Sequence, residues 1–180
     1  REPLMASLLH SVVLRHGSFQ SALSYRLAQK LGSPTLGEMM LREIADEAHA
    51  ADPAIVEAAR ADLLAVFERD PACHSCVQPL LYLKGFHAIQ GHRVAHWLWQ
   101  QGRPDMAYFI QMRNSEEFSV DIHPAARIGR GLMIDHAHAI VVGETAEIGD
   151  NVSMLHSVTL GGTGKEAGDR HPTIEDGVLI

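Results

Sequence analysis

Cysteine is nearly absent from this chain, with two residues, Cys73 and Cys76, among 180. Both fall in the run PACHSCVQP, so no disulfide framework can be drawn. No second Cys pair exists to complete a four-ligand structural zinc site, and His74 between the two cannot complete it alone. Ordinary thiols at a helix boundary are the expected reading, with a redox pair or adventitious metal binding as the alternatives. Basic charge is also in deficit. The formal net charge is −7 with histidine neutral, which argues against the basic face that nucleic acid requires and leaves room only for a local basic pocket. No apolar run reaches the ~18 residues of a membrane span. No charged, apolar and cleavable opening of a secretory signal is present, so a cytoplasmic address is expected. What remains is a composition of 46% hydrophobic and 21% charged residues, ordinary for a globular protein of one large or two small domains. The chain opens on Arg1 rather than Met and stops at Ile180 in mid-pattern, as a fragment would.

Residues 1–118 carry apolar residues at helical spacing. SVVLRHGSFQSALSYRLAQKLG closes on Gly32, TLGEMMLREIADEAHAAD follows Pro34, and PAIVEAARADLLAVFERD starts with Pro53 at a first-turn position. PLLYLKGFHAIQGHRVAHWLWQQG reads as the longest helix, from Pro79 to Gly102, and PDMAYFIQMRNSEEF as the last. Alanine, leucine and glutamate, strong helix formers, dominate. Leu63, Leu64, Val66 and Phe67 read as packing residues.

From Val120 the period changes to six. Ile122, Ile128, Ile134 and Ile140 form one series, and Val142, Ile148, Met154 and Leu160 a second, with a two-residue slip between Ile134 and Val142. Ala146, Val152 and Val158 follow four residues after members of the second series, and Gly129, Gly143, Gly149 and Gly161 follow apolar positions directly. An antiparallel sandwich shares the alternation but not a fixed period. A hexapeptide β-helix explains it: each six residues make a short strand and a turn, and three make a coil of about 18 residues stacked on the next. The expected fold is therefore α + β, a helical domain over 1–118 followed by a β-helix over 119–180, truncated at its C-terminal end.

Five of the 12 histidines lie in the repeat half. Asp121 and His136 fall on adjacent coils, where the carboxylate could bond one imidazole nitrogen, fix the tautomer and raise the basicity of the other. His138 and His156, 18 apart, are expected to stack, which could begin a metal site but would need further ligands. After Leu160 the rhythm breaks into VTLGGTGKEAGDRHP, a glycine-rich excursion suited to walling a site. It ends on Arg170 and His171, and an arginine fork suits a carboxylate. GGTGK has the wrong spacing for a phosphate-binding P-loop, which excludes nucleotide hydrolysis on that motif.

The run DIHPAARIGRGLMIDHAHAIVVGETAEIGDNVSMLHSVTLGGTGKEAGDRHP resembles the serine acetyltransferases of the hexapeptide-repeat acyltransferases. So do LLYLKGFHAIQGHRVAHWLWQQGR and ERDPA at 68–72, and the resemblance covers nearly the whole chain. It implies a left-handed parallel β-helix and acetyl transfer from acetyl-CoA to L-serine, the entry step of cysteine synthesis, with L-cysteine as inhibitor and no metal required. It assigns His136 as catalytic base and Asp121 as its carboxylate partner. Asp70, Asp135, Arg170 and His171 would hold the amino acid, and Gly162 and Thr163 would lie on the coenzyme side. It further implies a trimer, paired into a dimer of trimers through a helical domain that also contributes to the substrate site, and a C-terminal tail, absent from this sequence, that docks into cysteine synthase. His138 stands where the family's common DHATG motif has threonine; a surface or inter-subunit place and a minor role in the site are both open for it. Three other readings compete: a γ-class carbonic anhydrase-like zinc enzyme using His123, His136, His138 and His156; an acetyltransferase acting on another hydroxyl acceptor; and a non-catalytic assembly module.

Overall fold

The computed structural model describes residues 2–165 and 167–180; Arg1 and Glu166, the latter inside the glycine-rich excursion, lie outside the described residues. A short α1 (Ala6–Leu9) runs into a wide turn over His10–Leu14, and five longer or shorter helices follow before the last: α2 (Phe19–Leu31), α3 (Glu38–Ala51), α4 (Pro53–Arg69), α5 (Gln78–Tyr82) and α6 (Lys84–Gln100). The final helix is α7 (Pro104–Phe118). No helix among the described residues is long and apolar enough to cross a membrane.

The helices begin and end on chemistry visible in the chain. Ser18 caps α2 by accepting from the Ser21 N–H at 3.1 Å, and Asp52 caps α4 by accepting from the Ala54 N–H at 3.0 Å, with Pro53 just inside. The first helical stretch is therefore broken at His16–Ser18 rather than continuous to Gly32. Gly32 ends α2 in an extended conformation, φ −56° and ψ 146°, not a left-handed one. The expected long helix from Pro79 is likewise two helices. Leu83 is extended between them, at φ −91° and ψ 110°, which re-aims α6 across the repeat half. There Gly85 lies so close to Ile134 that a Cβ would strike its carbonyl. On α4, Val66 is buried, whereas Leu64 and Phe67 are 48% and 40% exposed, so two of the four expected packing residues face outward.

From Val120 eight short strands follow: β1 (Val120–Ile122), β2 (Arg127–Ile128), β3 (Met133–Ile134), β4 (Ile140–Val142), β5 (Glu147–Ile148), β6 (Ser153–Met154), β7 (Thr159–Leu160) and β8 (Thr173–Ile174). They pair in parallel as three sheets, β1-β4-β7, β2-β5-β8 and β3-β6, so the chain visits three sheets in turn and every third strand pairs. The two six-residue series become columns: Ile122 on Val142 on Leu160, Ile128 on Ile148 on Ile174, Ile134 on Met154. All but Ile128 and Ile174 are buried in a core continuous with that of the helices. The two-residue slip makes the first coil 20 residues (Val120 to Ile140), while Val141 pairs with Thr159 after 18. The glycine-rich excursion lengthens the step from Glu147 to Thr173 to 26.

Burial holds three helical histidines neutral. It pushes His49 and His87 down to about 4 and His92 to about 3. His49 Nδ1 meets Ser24 Oγ at 2.9 Å, and His87 Nε2 meets the Leu80 carbonyl at 2.8 Å. Because these folded-state values lie below the unfolded value, the unfolded chain takes up protons first as pH falls. The stability these groups contribute is intact above about pH 6.5 and declines as pH falls toward their folded values. Each contributes a decline on the order of 3 kcal/mol. Urea unfolding midpoints should therefore fall steeply between about pH 6.5 and 4; a midpoint flat across that range would contradict the burial of neutral imidazoles.

Candidate active site

The turn after β3 carries the first group of candidate residues. His136, Ala137 and Ala139 have φ of 60°, 48° and 54°, a left-handed run that side chains rarely adopt. The Ala137 N–H reaches back to the Asp135 carbonyl at 2.6 Å, closing a three-residue turn with His136 at its apex. Ala137 is fully buried and the His136 side chain is 71% exposed, so the extra residues of the first coil fold the backbone inward and push the imidazole out. His136 Nε2 lies 3.3 Å from Asp135 Oδ2, and its ring is edge-on to that of His156, with centroids 6.1 Å apart. The expected stacking of His156 on His138 does not occur: the coil at this turn is 20 residues long, which moves His136 into that place. The His138 side chain is exposed, and its carbonyl accepts from the Ser157 N–H at 2.7 Å.

Asp70, the residue after α4, accepts from the Ala72 N–H at 2.8 Å. Its neighbour Arg69 ties this end of α4 to the β3–β6 side of the coils. It donates to the carbonyls of Gly131 and Asn151 at 3.0 and 3.1 Å and to Ser153 Oγ at 3.2 Å. Cys73 and Cys76, on the loop that follows, are both free thiols, the first buried and the second exposed.

A second group gathers around β1, β4 and the excursion. Arg170 donates to Glu144 Oε2 at 2.6 Å, and that bond holds the Glu144 carboxyl below its usual range. His171 Nδ1 accepts from the Thr145 N–H at 3.2 Å and meets Thr145 Oγ1 at 2.8 Å. The tautomer assigned by these bonds puts the proton on Nε2, which makes that nitrogen a donor. Gly143 is obligatory beneath it, because a Cβ there would overlap the His171 ring. Gly162 packs against the Arg170 backbone, where a Cβ would meet its carbonyl oxygen, and Thr163 is exposed. Glu144, Thr145, Lys165 and Arg170 border a cavity of about 670 Å³. Another, of about 340 Å³, lies between α4, α6 and the coils, and none of the expected site residues lines it.

Asp121 belongs to this second group. Its Oδ1 accepts from Gln111 Nε2 at 2.6 Å, and no hydrogen bond joins it to His136 within the chain. The reason is register: the two residues share the first coil rather than lying on adjacent ones, Asp121 on the edge strand of one sheet, paired with Val141, and His136 at the corner after a strand of another. His123, packed on Trp99 and Tyr108 at 5.3 and 5.7 Å, lies near both groups of charge in this cluster. Burial lowers its basicity, Glu144 and Asp121 oppose that lowering, and Arg170 and His171 add to it. Among the described residues, no group of three or more His, Cys, Asp or Glu is arranged to hold a metal ion. Glu144, Thr145, Gln111 and Arg69 were not singled out in the sequence. Their partners lie at separations of 26, 26, 10 and 62 or more residues, which the six-residue period alone does not supply.

A helical domain feeding a coil of short parallel strands, with an exposed imidazole beside a carboxylate at one corner, defines the class. Residues 1–91 match the family described as serine acetyltransferase, N-terminal. The serine acetyltransferase of Salmonella typhimurium is 57% identical over 179 residues, covering 99% of this chain and 66% of that protein. A Neisseria gonorrhoeae serine acetyltransferase structure in complex with serine superposes with a TM-score of 0.96 at 57% identity, covering 99% of this chain and 73% of that one. For a Brucella abortus serine acetyltransferase in complex with coenzyme A the TM-score is 0.97 at 52% identity, covering 99% and 71%. This chain belongs to the serine acetyltransferase family, as its motifs led us to expect, and it spans about two thirds of the length of the Salmonella relative.

Proposed function

We propose that the protein transfers the acetyl group of acetyl-CoA to the hydroxyl of L-serine, giving O-acetyl-L-serine and CoA, the first step of cysteine synthesis. The observation that carries this reading is the His136 corner: in a chain of this family, a strained left-handed turn presents an imidazole to solvent beside a carboxylate. Backbone strain of this kind costs about 1–3 kcal/mol per residue and persists where it serves a site. On this reading His136 takes the proton of the serine hydroxyl as that oxygen attacks the thioester carbonyl, and Asp121 stabilises the imidazolium. Arg170 and the Nε2–H of His171 receive the serine carboxylate, and Asp70 and Asp135 its ammonium. The coenzyme approaches along Gly162 and Thr163. Cysteine, with the same α-amino and carboxylate groups, would compete for the same contacts.

The two groups of residues occupy different edges of one chain. We place them together across the boundary between protomers of a trimer, so that His136 and Asp135 of one protomer face Asp121, Arg170 and His171 of the next. The same reading takes the coils as a left-handed parallel β-helix over 119–180. It takes the helices over 1–118 as the unit that pairs trimers and contributes Asp70. It places the protein in the cytoplasm and includes docking of cysteine synthase through a C-terminal segment.

The test is an acceptor panel with acetyl-CoA, followed by NMR of the products. L-serine should be O-acetylated, and serine methyl ester and N-acetylserine, each lacking one charged end, should react poorly. Equal turnover of these singly charged analogues, or of a sugar hydroxyl, would transfer the reading to another acceptor. Gly143→Ala tests the serine side. A methyl group beneath His171 should displace the ring and lower kcat/KM for serine by on the order of 10²-fold with the fold retained; unchanged kinetics would remove His171 from the site.

A further inference from the structure

The carboxylate of Asp121 is held by an amide from the helical half. Asp121 is the middle residue of β1, and because Val120 and Ile122 on either side are buried, its side chain points away from the coil. α7 ends directly before it. Ser119 turns the chain with φ 60°, its N–H bonded to the Ser115 carbonyl at 3.0 Å, and buried Phe118 anchors the turn. This reversal returns β1 along α7, so that Gln111, ten residues earlier, places Nε2 at 2.6 Å from Asp121 Oδ1. Both residues are half-buried, and no second hydrogen bond to this carboxylate forms among the described residues.

We propose that Gln111 is a positioning residue for acetyl transfer, fixing the Asp121 carboxylate through one oxygen and leaving the other for the imidazole of the base. The proposal rests on the function put forward above. The choice of donor matters chemically. A neutral amide orients the carboxylate and leaves its negative charge available to the imidazolium, whereas an arginine or lysine would compensate that charge before the base could use it. A methionine of similar length would keep the packing and lose the donor.

The experiment is a double-mutant cycle on the purified protein: wild type, Gln111→Met, Asp121→Asn and the pair, each followed by serine-dependent thiol release from acetyl-CoA across pH. Gln111→Met should lower kcat about tenfold while KM for serine changes by less than about twofold, as expected for an interaction made in the transition state. A base that has lost part of its anionic partner is less basic, so the acid limb of kcat/KM should move to lower pH. In the Asp121→Asn background, Gln111→Met should have no further effect. If Gln111→Met does not fold, Gln111→Asn, which keeps the amide but shortens it, takes its place in the cycle. A wild-type rate and pH profile in the variant, or a full additional loss on top of Asp121→Asn, would overturn the proposal. A wild-type protein with no serine-dependent release would instead sink the functional reading beneath it.

Discussion

His136→Ala should lower serine-dependent acetyl transfer by about two to four orders of magnitude, with KM for acetyl-CoA little changed. The serine hydroxyl is a weak nucleophile near neutral pH, and attack on the thioester requires its proton to leave as the bond forms. The His171 imidazole that the proposed arrangement brings near has its Nδ1 committed to Thr145. His156 is the only aromatic ring packed on His136 among the described residues, and its centroid is 6.1 Å away. His123 is held against Trp99 and Tyr108 in the other group of residues. Stability should change little, because the His136 side chain is 71% exposed. A near-normal rate in this variant would end the assignment of His136 as base. A loss of rate accompanied by an equal loss of folded protein would be read as strain at the turn, which circular dichroism separates from chemistry.

The largest effect on stability is expected at Asp62. Its side chain is fully buried, and both oxygens are committed. Oδ2 accepts from Gln90 Nε2 at 2.8 Å and from Arg93 Nη2 and Nε at 2.8 and 3.2 Å, while Oδ1 accepts from the Leu132 backbone N–H at 2.9 Å. Arg93 continues the network to the Gly129 carbonyl at 2.7 Å. One carboxylate thus joins α4, α6 and the first coil. Asp62→Ala would leave an arginine charge and a backbone donor buried without their acceptor. Breaking such a pair from one side costs about 3–5 kcal/mol, a large share of the roughly 5–15 kcal/mol that holds a domain folded. Glu116→Ala, which removes an exposed partner of Arg113, should cost under about 1 kcal/mol. Urea denaturation of the two variants side by side is the check. Equal midpoints would mean that the buried network contributes no more than a surface pair.

Much of the architecture was legible because the core repeats. The series Ile122, Ile128, Ile134 and Val142, Ile148, Met154 are the columns of the three sheets, and the two-residue slip between them is the corner that carries His136. The slip is visible in the sequence, but the period alone does not say which side chains it brings together. A coil of 20 residues at that corner puts His136, not His138, against His156. The helix breaks were less legible, since Leu83 sits in an unbroken helical pattern and turns because α6 must lie against Ile134. The site residues that sequence reading missed share one physical cause. Glu144 and Thr145 find Arg170 and His171 only after the excursion has lengthened a coil to 26 residues, and Gln111 finds Asp121 only after Ser119 reverses the chain. Pairings of this kind depend on loop lengths, and a hydropathy pattern does not encode them.

The central claim is that this corner and its partner residues move an acetyl group onto serine. The direct measurement is thiol release from acetyl-CoA by the purified protein, with and without L-serine, and again with L-cysteine added. Release that requires serine and is suppressed by cysteine is the predicted result. Folded protein that releases no thiol in the presence of serine, or releases it equally without serine, would contradict the account.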